Sequence, residues 1–265
     1  MSRKNAKQFR RSFSYPAKAE APIDEASIKA LSKAIDAIPL NSDREKLSMA
    51  VQLVLVAFSE ATAMQRYLTG KTVEVNGKPL GFTPLRGDGS ALPWQDDVWK
   101  AYSTAVKSNP PWTDILVHLH AQRFDRHAHS LGQHFTPPDL AHFVGRLAGS
   151  HVDRHPIADE TLALHDPCCG AGGLLLGQLA HAADGKRYAV SATDLDPLCC
   201  AMTALQVLAN TLLHGRKLVS SIEVSCGNCL LDGGPVVFRY GADEQVQAFN
   251  TILHYCTKKP AANEG

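Results

Sequence analysis

The chain has 265 residues, 45% of them apolar, which is enough for one large domain or two small ones around a real core. Lysine plus arginine number 27 and aspartate plus glutamate 26, so the net charge of +1 excludes a globally basic, nucleic-acid-coating protein and leaves any phosphate contact local. The most apolar stretch, Val51 to Phe58, is less than half of the roughly 20 residues a membrane span needs, which argues against a membrane helix.

Residues 1–24 read as a basic, disordered tail. Arg3, Lys4, Lys7, Arg10, Arg11 and Lys18 occur there with no acid before residue 20, as in a solvated arm, a phosphate-touching arm or an Arg-rich leader. Residues 25–111 form a mostly helical region. Ile28, Leu31, Ile35 and Ile38 recur at helical spacing, and a second helix is expected from Leu47 to Tyr67 behind Asp43 as its cap. Thr72 to Val75 followed by Asn76-Gly77 predicts a short hairpin, and Gly81 to Pro93 a loop. Asn109 is expected to precede a helix with Pro110 or Pro111 in its first turn.

From Trp112 the pattern changes. A helix carries Ile115, Leu116 and Leu119, Gly132 breaks it, and Thr136 caps a further helix that has Pro137 at its first position. Strands at Thr161 to His165, Tyr188 to Thr193 and Ser221 to Ser225 then alternate with helices at Gly172 to Ala183 and Pro197 to Leu213. Such alternation is the signature of right-handed crossovers in a parallel sheet. Asn250 to Tyr255 is expected to add a fourth strand, in the order 3-2-1-4.

The chemistry-bearing residues sit at the strand ends. Asp166-Pro167-Cys168-Cys169-Gly170-Ala171-Gly172-Gly173 joins the first strand to a helix, where glycines allow close approach to a ligand and free amides favour an anion. Asp194 stands at the end of the second strand, where a doubly wound sheet hydrogen-bonds ribose hydroxyls. A dinucleotide site uses the same two places, but its third glycine position holds Leu175. Seven cysteines, with the adjacent pairs Cys168/Cys169 and Cys199/Cys200, suit reduced thiols and a cytoplasmic setting. Cys226 and Cys229 form a lone CxxC, and His118, His120, His127 and His129 have no partner ligands at zinc-like spacing, so no metal is expected.

Four motifs stand in order: Gly132-Gln133-His134-Phe135-Thr136-Pro137, the loop Asp166 to Gly173, Asp194-Leu195-Asp196-Pro197, and Gly227-Asn228-Cys229-Leu230. Together they resemble the amino-terminal motifs of adenine-specific DNA methyltransferases, above all the modification subunits of type I restriction systems: GQ(F/Y)(F/Y)TP, DPxCG(S/T/A)GG, E(I/L)DP and GD(S/T)L. The resemblance covers about Trp112 to Tyr255. It implies an α/β fold with a Rossmann-like, S-adenosylmethionine-dependent methyltransferase half-sheet at 112–256, a tail at 257–265, and DNA as a partner. It further implies that Phe135, Thr136 and Pro137 touch the methionine end of S-adenosylmethionine, that Asp166, Gly170 and Gly172 form its loop, that Asp194 holds the ribose, and that Leu195 lies on the adenine. Asn228 replaces the aspartate that accepts from the adenine amino group, and an amide oxygen can make the same bond.

The family's catalytic (N/D)PP(Y/F) is expected after the fourth strand, where Tyr255-Cys256-Thr257-Lys258-Lys259-Pro260 stands instead. Asn109-Pro110-Pro111-Trp112 spells it ahead of the cofactor loop, and the residues from Thr113 to Leu131 cannot supply three strands and their crossovers in between. Asn109 is therefore a decoy, and the catalytic residue is unassigned. Two functions remain open. One is an adenine-specific DNA methyltransferase, or one part of a split one whose missing half-sheet comes from a second polypeptide; the other is a non-catalytic module that binds cofactor, DNA or a partner.

Overall fold

The computed structural model describes residues 22–68, 74–75, 78–79, 93–124, 134–153, 161–182, 185–214 and 218–241. The basic tail up to residue 21, the loop 81–92, Gly132-Gln133, His127, His129, the expected strand Asn250 to Tyr255 and the tail 257–265 lie outside them.

Helix α1 (Glu25–Asp36) begins at Asp24, whose carboxylate accepts from the Ala26 and Ser27 amides at 3.1 and 3.3 Å, and it buries Ile28, Leu31 and Ile35. In α2 (Asp43–Leu68) the cap lies one residue earlier than expected: the Ser42 carbonyl takes the first helical bond, from Lys46 N at 2.9 Å, and Asp43 is already helical. A two-stranded antiparallel hairpin follows, β1 (Glu74–Val75) and β2 (Lys78–Pro79). Helix α3 (Pro93–Ser108) starts on proline, where the missing N–H costs no bond, and buries Val98, Tyr102, Ala105 and Val106 at helical spacing. The sequence expectation for Asn109 is corrected here. It ends α3, and Pro110-Pro111-Trp112 form the turn into α4 (Ile115–Phe124). Helix α5 (Pro138–Asp153), in contrast, starts one residue later than expected, because the Pro137 carbonyl takes the first bond from Ala141 N and Pro138 holds the first helical position.

The α/β part runs β3 (Thr161–Asp166), α6 (Gly173–Ala180), β4 (Arg187–Asp194), α7 (Pro197–Leu213), β5 (Val219–Cys226) and β6 (Val236–Gly241). Pairs β3/β4 and β4/β5 are parallel. This is the 3-2-1 part of the expected order, and the place beside β3 pairs with no strand among the described residues. Strand β6 was not expected. It pairs antiparallel with β5 on the far edge, giving the order β3-β4-β5-β6. Its cause is local: Gly233 and Gly234 take φ of 72° and 71°, and residues 227–235 are too few for a helical crossover, so the chain returns antiparallel.

Helix α7 lies between the amino-terminal helices and the sheet and is buried from Leu198 to Thr211. Its polar residues are therefore bonded inward. Gln206 Oε1 accepts from the Leu116 amide at 3.0 Å and Asn210 Oδ1 from the Trp112 amide at 2.6 Å, so α7 satisfies the start of α4. One continuous apolar core runs from Ile28 to Tyr240 through this helix. Helices α5 and α6 cross closely, since a Cβ at Gly145 or Gly177 would meet the facing backbone. The opposite face of α5 exposes Leu140, Phe143, Val144 and Leu147. No helix among the described residues is long and apolar enough to cross a membrane.

Candidate functional site

The site is built where β3 and β4 end. Asp166, buried at the last position of β3, accepts from Cys168 N at 3.1 Å through Oδ1, which folds the chain over Pro167. Burial pushes its carboxyl up, and the Cys168 amide draws it back in part. Gly170 and Gly172 take φ of 53° and 89°, so the loop turns through two left-handed residues before α6. Space also demands glycine. A Cβ at Gly170 would stand 3.2 Å from the Phe135 ring, and one at Gly172 would stand 3.1 Å from Thr203 Oγ1.

The loop carbonyls are tied to α7. Thr203 Oγ1 donates to Gly170 O at 3.0 Å and Gln206 Nε2 to Ala171 O at 2.7 Å. With its carbonyls held on that side, the loop leads into the first turn of α6, whose opening amides have no partner within the helix. The Gly170 amide donates to Asp194 Oδ2 at 2.9 Å, and the other Asp194 oxygen accepts from Asp196 N at 2.9 Å. The Asp194 carbonyl accepts from Gly227 N at 2.9 Å, which draws the β5–β6 turn against the end of β4. In that turn Asn228 is exposed and its Oδ1 accepts from Leu230 N at 3.0 Å. Leu195 is 71% exposed beside Asp194. Phe135 is half-buried on Gly170, the Thr136 carbonyl lies 3.7 Å from where a Gly173 Cβ would stand, and Pro137 is exposed at the head of α5. The fold thus gathers Phe135, Thr136, Asp166, Gly170, Gly172, Asp194, Leu195 and Asn228 around one set of strand ends.

Asp114 is a residue the sequence reading missed. It caps α4, with Oδ1 accepting from Val117 N at 2.9 Å and from Gln206 Nε2 at 2.8 Å. Oδ2 bonds nothing among the described residues and stands 3.0 Å from where a Gly173 Cβ would be. It lies by a cavity of about 350 Å³ bounded by Trp112, His118, Pro138, His142 and Gly173. Burial pushes its carboxyl up to about 6. The available signal was an Asp one residue before an apolar helical run, an N-cap pattern that says nothing of what lies across the fold.

Asn109 is locked in place instead. It is 4% exposed, accepts from the Asp24 amide at 2.8 Å, and donates to Ser27 Oγ at 3.2 Å and Ala105 O at 2.7 Å. The following Trp112 takes φ of 69° and is 1% exposed, a strained turn held by burial and its Asn210 bond. The CxxC cysteines diverge. Cys226 is buried with its Sγ 3.8 Å from Leu195 O, while Cys229 Sγ stands 3.7 Å from Cys168 Sγ. Among the described residues no three His, Cys, Asp or Glu side chains group as a metal site. A salt bridge, Arg44 to Asp196 at 2.8 Å, fastens α2 to the cap of α7.

A search of curated proteins found no match. Among solved structures the chain is similar to a modification subunit of a putative type I restriction enzyme from Vibrio vulnificus YJ016, at 15% identity and a TM-score of 0.43. The likeness covers 80% of this chain, which spans 58% of that subunit. The model of the N-6 DNA methylase family matches residues 113–255, a little over half of the 265 residues. By that match the chain belongs to the N-6 DNA methylase family.

Proposed function

We propose that the groove at the ends of β3 and β4 holds S-adenosylmethionine, and that the chain is the cofactor-holding part of an adenine-specific DNA methyltransferase acting on duplex DNA. One observation carries this reading: the Phe135 ring stands over Gly170, whose amide is bonded to Asp194, so three motifs distant in sequence meet at one point. When bound, the cofactor supplies a methyl group on a sulfonium centre. The residues present fit it. Asp114 Oδ2 takes the methionine ammonium, and the opening amides of α6 take its carboxylate. Each Asp194 oxygen has one backbone partner and a lone pair left for a ribose hydroxyl. Leu195 gives an apolar face for the adenine ring, and Asn228 Oδ1 has a lone pair left for its amino group.

Holding the target adenine is a separate task, and Asn109 is spent on the fold. The open side of β3 among the described residues suits strand addition, by which a second polypeptide continues the sheet and supplies (N/D)PP(Y/F). Tyr255-Cys256-Thr257-Lys258-Lys259-Pro260, standing at the position expected for that motif, favours a second reading, a non-catalytic module that keeps the groove. Calorimetry with S-adenosylmethionine tests the shared claim: the 265-residue protein should bind, and no heat of binding at millimolar cofactor would refute it. Adding the product of a neighbouring reading frame that opens with such a motif separates the two readings, since methyl transfer to duplex appears only in the first.

A further inference from the structure

We propose that Cys168 and Cys229 are a redox-active dithiol whose disulfide ties the β3–α6 loop to the β5–β6 turn across the mouth of the cofactor groove. The two sulfurs come from positions 61 residues apart and stand 3.7 Å from each other. A disulfide requires about 2.05 Å, so the gap closes by small side-chain rotations, with both residues outside helices and strands. Cys168 is exposed and Cys229 partly so, whereas Cys169, Cys199, Cys200 and Cys226 are buried. An oxidant in solution therefore reaches this pair ahead of those four. Neither thiol is demanded by the motif around it: position 168 is unrestricted in DPxCG, and GD(S/T)L has a hydroxyl where Cys229 stands.

The surroundings set the resting state. The hydrogen bond to Cys229, aided by the Asp194 and Asp166 carboxylates, holds the Cys168 thiol above its usual range, so Cys168 rests as the thiol at neutral pH. The co-reactant is a low-molecular-weight disulfide, RSSR. One cysteine thiolate attacks an RSSR sulfur, forming a protein–S–S–R bond and releasing RS⁻. The second thiolate attacks the protein sulfur of that mixed disulfide and releases the other RS⁻. The two thiol protons end on two RSH; the cysteine sulfurs are oxidised and RSSR is reduced. The bridge joins the residue two before Gly170 to the residue after Asn228, drawing together the two walls between which the adenosine would lie. This gating rests on the cofactor reading, while the bridge itself does not.

The test treats the 265-residue protein and C229S with oxidised glutathione, maps unreduced peptides by mass spectrometry, and titrates each form with S-adenosylmethionine before and after dithiothreitol. Serine at 229 keeps the hydroxyl that the resemblance pattern carries. The expected result is a Cys168–Cys229 linked peptide lighter by two hydrogens, absent from C229S and reversed by dithiothreitol. Cofactor affinity should fall by about tenfold or more on oxidation in the wild type, with no fall in C229S. Glutathione adducts persisting on both cysteines with no linked peptide would overturn the bridge. A linked peptide with unchanged affinity would overturn the gating. If the reduced protein binds no cofactor, the cofactor reading falls and the gating with it, and the peptide map alone decides the bridge.

Discussion

Two stretches of this chain carry letters of the same family and fare oppositely in the fold. Asn109-Pro110-Pro111-Trp112 spells a catalytic motif, yet both polar ends of the Asn109 side chain are engaged internally and the Trp112 ring is sealed in the core. Asp166 to Gly173 spells a cofactor loop, and there the carbonyls are tied back to α7 while α6's first turn, Asp114 Oδ2, Leu195 and Asn228 remain available to a ligand. A motif marks a site only where its polar groups stay unspent. Buried polar groups that already have partners are structure.

The comparison breaks most completely if Asn109 proves catalytic. The 265-residue polypeptide should incorporate no labelled methyl into mixed-sequence duplex above a cofactor-only control, because positioning the adenine supplies roughly 7–11 kcal/mol and no free motif does it. Incorporation that N109A abolishes without loss of stability would reverse the assignment. Next in size is stability. N109A removes three internal hydrogen bonds and should cost about 3 kcal/mol, seen as a fall in Tm of roughly 6–12 °C.

Asp114 sharpens the contrast, because its carboxylate is kept at a cost. Burial raises it from 3.8 to about 6, so between those values the folded state holds a proton the unfolded chain has lost, and stability falls as pH rises through that window. At pH 7 the loss is about 3 kcal/mol as an upper figure. D114N should flatten thermal stability between pH 4 and 6 and raise Tm at pH 7, while weakening cofactor binding about tenfold. A wild type with no such slope would remove the argument. D194A should weaken binding by on the order of 1–3 kcal/mol, the loss of a charged acceptor for hydroxyls. Smallest is R44M at the half-exposed ion pair with Asp196, expected to change stability by less than about 1 kcal/mol in unfolding titrations.

The loop, the Asp194 strand end and the parallel strands were legible because each is a local signal: glycines at a strand–helix junction, an acid at a strand end, apolar runs of strand length. Strand β6 also has a local signal, Gly233-Gly234 followed by the mostly apolar run Val236 to Tyr240, but its antiparallel return departs from the crossover that a doubly wound pattern calls for. The helix starts at Asp43 and Thr136 were missed by one residue: Ser42 caps α2 with its carbonyl and with its hydroxyl, which accepts from Glu45 N at 3.5 Å in a Ser-x-x-Glu pattern, while Pro137 caps α5 through a backbone carbonyl that no side-chain pattern announces. Asp114 was illegible for a deeper reason. Its meaning comes from Gln206 and Gly173, far along the chain, which meet it only once α7 is packed.

The most direct test measures S-adenosylmethionine affinity of wild type, D194A and N109A side by side, each checked for folding. The groove account predicts a D194A dissociation constant raised by about tenfold or more and an N109A value within about twofold of wild type. Equal affinity in wild type and D194A, with binding lost in folded N109A, would contradict it.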